Sequence, residues 1–126
     1  MKRSWIGFAL LAVLLLGGIL ATRKMVAIHE PIGVKLQQAA QYALEDHWER
    51  ADSLFREAET SWKTWEHFRS CFADHNPVEE IDGEFEMLGV FCSIRDGAAF
   101  AGGCRELARK VAAVGEAHQL VWWNLL

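Results

Sequence analysis

Residues 5–22, WIGFALLAVLLLGGILAT, run for 18 positions without a charge. No other stretch limits the fold as strongly. As an α-helix this run spans about 27 Å, close to the roughly 30 Å hydrocarbon core of a bilayer. Lys2 and Arg3 precede it, and Arg23 and Lys24 follow. Trp5 stands where an interfacial aromatic anchor belongs. Met25 to Ile28 can extend the run, so residues 1–28 are read as an anchor and residues 29–126 as a separate domain. A cleaved secretory signal has a shorter apolar core, about 7–15 residues, and small residues at its cleavage site. Here the candidate cut after Ala21 has Ile19 where a small residue is preferred, and no cysteine follows at which a lipid could be attached. The expectation is an uncleaved signal anchor, single-pass in the cell membrane.

The charge distribution agrees. The formal net charge of −4 hides an asymmetry, because four of the 13 basic residues flank the apolar run and all 17 acidic residues follow it. The domain is therefore acidic. Nucleic-acid binding needs a dense basic patch to release counterions, and none is present. The two flanks carry similar positive charge, with the free α-amino group adding to the N-terminal side. The positive-inside rule then places the N-terminus inside and the domain in the extracytoplasmic space, where disulfides are allowed. The three cysteines, Cys71, Cys92 and Cys104, can form one internal disulfide at most. None sits in a CxxC, and all three read as small apolar helix residues.

Beyond the anchor the pattern is helical throughout. Pro31 and Gly33 punctuate the end of the membrane segment. Ile32, Leu36, Ala39, Ala40, Ala43 and Leu44 then form an apolar stripe, with Gln37, Gln38 and Gln41 on the wet side. This helix ends around Glu45-Asp46-His47, whose acids suit the N-terminus of the next helix. Residues 48–75 read as one long amphipathic helix. Trp48, Ala51, Phe55, Ala58, Trp62, Trp65 and Phe72 alternate at steps of three and four, and Arg69 breaks the row. Asn76 and Pro77 read as the cap and first turn of a further helix with the stripe Val78, Ile81, Phe85, Leu88 and Cys92. A last helix begins near Ala98, with Phe100, Cys104, Leu107, Val111 and Val114 as its stripe and Gly115 as its stop. Gly102-Gly103 either weakens it or permits a close helix contact. The apolar end, residues 119–126, docks on the bundle or on the membrane surface. No stretch alternates with period two over enough residues to make a strand. The predicted fold class is all-α: one N-terminal transmembrane helix followed by a small antiparallel helical bundle.

Glu45-Asp46-x-Trp48-Glu49-x-Ala51, then Trp62, Phe72-x-Asp74-His75, Glu80-Ile81-Asp82 and a final Asn124-Leu125-Leu126 form a set that resembles domain-of-unknown-function family 4363. The resemblance covers nearly the whole chain. It implies a small bacterial protein, of the clostridial Gram-positive type, with one membrane helix and a helical domain. That family has no assigned activity, so the resemblance lends architecture and location but no mechanism. A lesser likeness, from Ala39 to Ala58, is to one helical hairpin of a tetratricopeptide repeat. Such repeats need about three copies to stack, and the chain has one.

Motifs that carry chemistry are few. His67, Cys71 and His75 stand at i, i+4 and i+8, and imidazole and thiolate are good zinc ligands. One helix cannot bring all three to one ion, because residues eight apart are separated by about 12 Å. Two neighbours aided by Asp74, or by Glu79, Glu80 or Asp82 across the turn, make the candidate metal set: His67, Cys71, Asp74 and His75. The competing reading makes them surface residues. The carboxylates from Glu79 to Glu86 read as a solvated helix start rather than an acid–base pair, which needs a shielded cleft. No GxSxG, P-loop, GxGxxG or HExxH is present. Trp48, Trp62 and Trp65 read as bundle core, with a groove between helices as the second reading. The expected function is a non-enzymatic interaction or scaffold module at the membrane, without a cofactor, engaging a protein partner or self-associating. The alternative is an extracytoplasmic ligand- or metal-binding sensor module.

Overall fold

The computed structural model describes residues 2–72 and 75–124, with side chains for 2–71 and 76–116. Its elements are α1 (Lys2–Leu44), α2 (Trp48–Thr64), α3 (Glu66–Phe72), α4 (His75–Ser93) and α5 (Gly97–Asn124). The all-α expectation holds among the described residues.

α1 has two halves with different surroundings. From Trp5 to Leu20 its large apolar side chains are exposed, Trp5 at 77% and Phe8 at 71%, with Leu15 alone half-buried. From Met25 to Ala43 one face is buried against the other helices. The expected break at Pro31 and Gly33 does not occur, and a single helix runs through both. An interior proline removes one backbone hydrogen bond and costs about 3 kcal/mol. Fully buried Met25, Ile32 and Leu36, on both sides of it, offset that cost and keep the helix continuous through the site. Met25 is thus core rather than an extension of the apolar span.

α2 returns along α1, α4 runs back along α2, and α5 returns beside α1 and α4. The pairs fix this order. His29 meets Trp62, with ring centroids 5.7 Å apart, and Trp62 donates to Asp82. Phe55 lies against Phe85 and Phe100. A Cβ on Gly97 would lie 3.6 Å from the Ala43 carbonyl oxygen, and one on Gly115 would lie 3.6 Å from that of Met25. The second half of α1 therefore joins α2, α4 and α5 in an up-down-up-down bundle, with α3 at the end nearest the apolar span. The three to four spacing of the stripes builds its core. Ile32, Leu36, Ala39, Ala40, Trp48, Phe55, Ile81, Phe85, Phe100 and Leu107 are all buried within it.

Two connections share one geometry. At Asp46 the backbone φ is 61°, and the His47 and Asp46 amides donate to the Tyr42 and Ala43 carbonyls. At Arg95 φ is 55°, and the Asp96 and Arg95 amides donate to Phe91 and Cys92. This is the 6→1 and 5→2 bonding of a Schellman end, which satisfies the last helical carbonyls. The Asp46 carboxylate lies at the start of α2, where its charge is expected, but makes no capping bond and accepts from the Trp48 indole at 2.9 Å. Asp96 does cap α5, accepting from the Ala99 amide at 3.2 Å.

Three further boundaries differ from the periodicity reading. The helix expected over 48–75 breaks at Trp65, which takes φ −99° and ψ 16°. α4 already includes Asn76, so that residue is not its cap. α5 passes through Gly115 and continues to Asn124. Gly115 is a packing residue, with His29 Cβ 3.4 Å from where its own Cβ would be. The side chains of the apolar end at 119–126 lie outside the described residues.

Candidate functional site

The break at Trp65 sets up the most unusual environment in the molecule. A helix end leaves carbonyls without partners. The Arg69 guanidinium comes back from α3 and donates through Nη2 to the Trp62 carbonyl. It also lies over the Trp62 indole, its central carbon 3.5 Å from the ring centroid, within cation–π range. Arg69 is 1% exposed, and its Nε and Nη1 have no hydrogen-bond partner. Burial pulls its pKa down to about 10, against the smaller opposing pull of Asp82 and Glu66.

His29, on α1, approaches the same indole edge-on. It too is 1% exposed. Its Nδ1 lies 2.6 Å from the Met25 carbonyl oxygen. A carbonyl can only accept, so Nδ1 carries the proton and donates, which leaves Nε2 as a lone-pair acceptor. Nε2 has no partner. Burial, with Arg69 adding to it, holds the His29 pKa below the ordinary value of 6.5, although the bond to Met25 opposes the shift. Asp82, on exposed α4 surface, closes the rim by accepting from Trp62 Nε1 at 2.6 Å.

Four helices thus place His29, Trp62, Arg69 and Asp82 at one level. Beside His29, between α1 and α5, lies a recess of about 390 Å³ lined by Glu30, Gly33, Gln37, Ala108 and Glu116 among others. The unpaired nitrogens offer two cationic donors and one neutral acceptor in a dry setting. Of these groups only His29 lines the recess, and the set carries no nucleophile.

The candidate metal residues are placed elsewhere. His67 and Cys71 are exposed on α3, and the Cys71 thiol points to the His67 carbonyl at 3.4 Å. Asp74 and the side chain of His75 lie outside the described residues. Among the described residues no group of three or more His, Cys, Asp or Glu is placed to hold a metal ion. The acids of α4 are not merely solvated: Glu80 and Glu84 both bind Lys110 of α5, and these bonds raise the lysine pKa. Cys92 and Cys104 are buried and free, whereas Cys71 is free and exposed, which corrects the view of all three as apolar helix residues. Trp48 and Trp62 are core, but Trp65 is half-buried and stands beside Lys24.

The interruption of the stripe signalled Arg69 in the sequence. His29 had a signal that the proline masked. Met25, His29, Ile32 and Leu36 continue the three-four spacing backward through Pro31, so His29 falls on the buried face.

No curated protein and no solved structure matches the chain significantly. The profile of a domain of unknown function, DUF4363, matches residues 19–125. That stretch contains the whole bundle and the last residues of the apolar run, and the chain belongs to this family.

Proposed function

We propose that this protein is a membrane-anchored, non-enzymatic interaction module that holds an acidic helical bundle at a set height outside the cell membrane. One observation carries the reading. α1 passes without a break from an exposed apolar span into the bundle core. An anchor continuous with a core helix cannot swivel as a flexible linker would, so the bundle surface is presented in a fixed orientation. Met87 and Val90 on the outer face of α4, with Ile94 in the turn just after it, are 53–64% exposed and suit contact with a protein partner or a second copy. A photo-crosslinker at Val90, activated in native membranes, tests this. A reproducible adduct of one size supports the interaction role, and no adduct above that of a control position on α2 counts against it. A C-terminal reporter active only in the cytoplasm overturns the assigned side.

The unpaired nitrogens of Arg69 and His29 favour a second reading, a sensor for a small anion. Phosphate or acetate that raises the melting temperature of the full chain, but not that of Arg69→Met, supports it. Identical responses count against it.

A further inference from the structure

We infer that α3 is a lipid-contacting collar, in which Trp65 and Phe68 seat the lower end of the bundle in the headgroup layer of the bilayer. The inference rests on residues 5–22 crossing the membrane, and it concerns a surface outside that span.

Lys24 lies two residues beyond the apolar run, about 3 Å above the hydrocarbon edge. The headgroup region on each side is about 5–7 Å deep. Lys24 Nζ is 5.4 Å from the centroids of both the Trp65 and the Phe68 rings. The rings pack edge to face, 6.2 Å apart. Both aromatics therefore stand beside the residue at which α1 leaves the apolar run. A second route gives the same level. His29, Trp62 and Asp82 mark one height in the bundle. Lys24 is five residues below His29, about 7.5 Å, and Asn76 is six residues below Asp82, about 9 Å. The start of α4 and the base of α1 reach the same layer, so α3, which joins α2 to α4, lies in it.

The break at Trp65 removes an indole from the core stripe and puts the Arg69 guanidinium inside in its place. In water this exchange runs against both preferences, because it exposes an aromatic and buries a charge. In a headgroup layer the half-exposed indole gains a favourable setting, apolar on one side and wet on the other. Lys24 then shares its ammonium between the rings and lipid phosphates.

The test uses the full chain in phosphatidylcholine–phosphatidylglycerol nanodiscs, with a nitroxide at Cys71 on α3. Two control labels, at Ala12→Cys and His47→Cys, are placed in a Cys71→Ser background. Collision rates with oxygen and with a water-soluble nickel chelate report depth. The expected result is residue 12 in hydrocarbon, residue 47 in bulk water, and residue 71 between them, its nickel collision rate several-fold below that of residue 47. Trp65→Ala/Phe68→Ala should bring the rate at residue 71 up to that at residue 47 while residue 12 stays buried. If residue 12 is buried but residue 71 already matches residue 47, the collar is wrong and the anchor stands. If residue 12 is also in water, both are wrong.

Discussion

Trp62 and Asp82 join α2 to α4 through a 2.6 Å hydrogen bond from the indole Nε1 to the carboxylate Oδ1. The indole is buried and its acceptor is on the surface. The pair therefore pins the level at which Arg69 stacks and His29 abuts.

Asp82→Ala should lower the stability of the full chain in micelles by about 1.5–3 kcal/mol, the net worth of a hydrogen bond to a charged acceptor. Asp82→Asn should keep most of it. Urea denaturation followed by circular dichroism measures both, and equal stability of Asp82→Ala and wild type would show that the bond does not matter.

His29 gives the folded state a pH dependence. Its pKa is below 6.5 when folded and about 6.5 when unfolded. Between those values the unfolded chain binds the extra proton, so stability rises with pH. The contribution is complete above pH 6.5 and is lost as the pH falls through the folded pKa. The melting temperature should be lower at pH 5 than at pH 7.5. His29→Phe, which keeps a ring against Trp62, should remove the part of the slope that lies in this window.

The adjacent glycines of α5 should respond in opposite ways. A Cβ on Gly102 meets open space, whereas one on Gly103 runs into the buried Leu88 side chain. Gly102→Ala should stabilise by about 0.5–1 kcal/mol through helix propensity. Gly103→Ala gains the same propensity but overpacks the core, an effect of about 1–3 kcal/mol, and should be net destabilising. Thermal unfolding of the two variants side by side checks the contrast.

Thiol labelling should separate the cysteines. Burial pushes Cys92 up to about 11, with Asp52 adding to the shift, and Cys104 up to about 12. Only thiolate reacts readily. At pH 8 a maleimide should modify the folded chain once, at exposed Cys71, and the urea-unfolded chain three times. Mass spectrometry counts the adducts, and rapid double modification of folded protein would refute the packing around Cys92.

Much of this architecture was legible in local pattern. The stripes Val78–Cys92 and Phe100–Val114 are core, with Val78 alone only half-buried, because burial follows the period of a helix wherever a helix forms. The uncharged run was equally plain. The candidate site was barely legible. Arg69 showed only as a gap in a row, and His29 was hidden behind a proline that ordinarily ends a helix.

The sequence by itself determined that the chain is helical, which face of most of its helices is wet, and that residues 5–22 are apolar enough to span a bilayer. These follow from side-chain spacing and composition, which are local. The tertiary structure alone decided that α1 runs on through Pro31, that the long helix stops at Trp65, and that Arg69 rather than Trp65 enters the core. Each of those outcomes sets a local preference against contacts from helices distant in sequence: the buried face of α1 packed on α2 and α5, the Trp62 carbonyl freed for Arg69, Lys24 waiting beside Trp65. Periodicity contains no information about such partners, and the energy they contribute exceeds the preference they override.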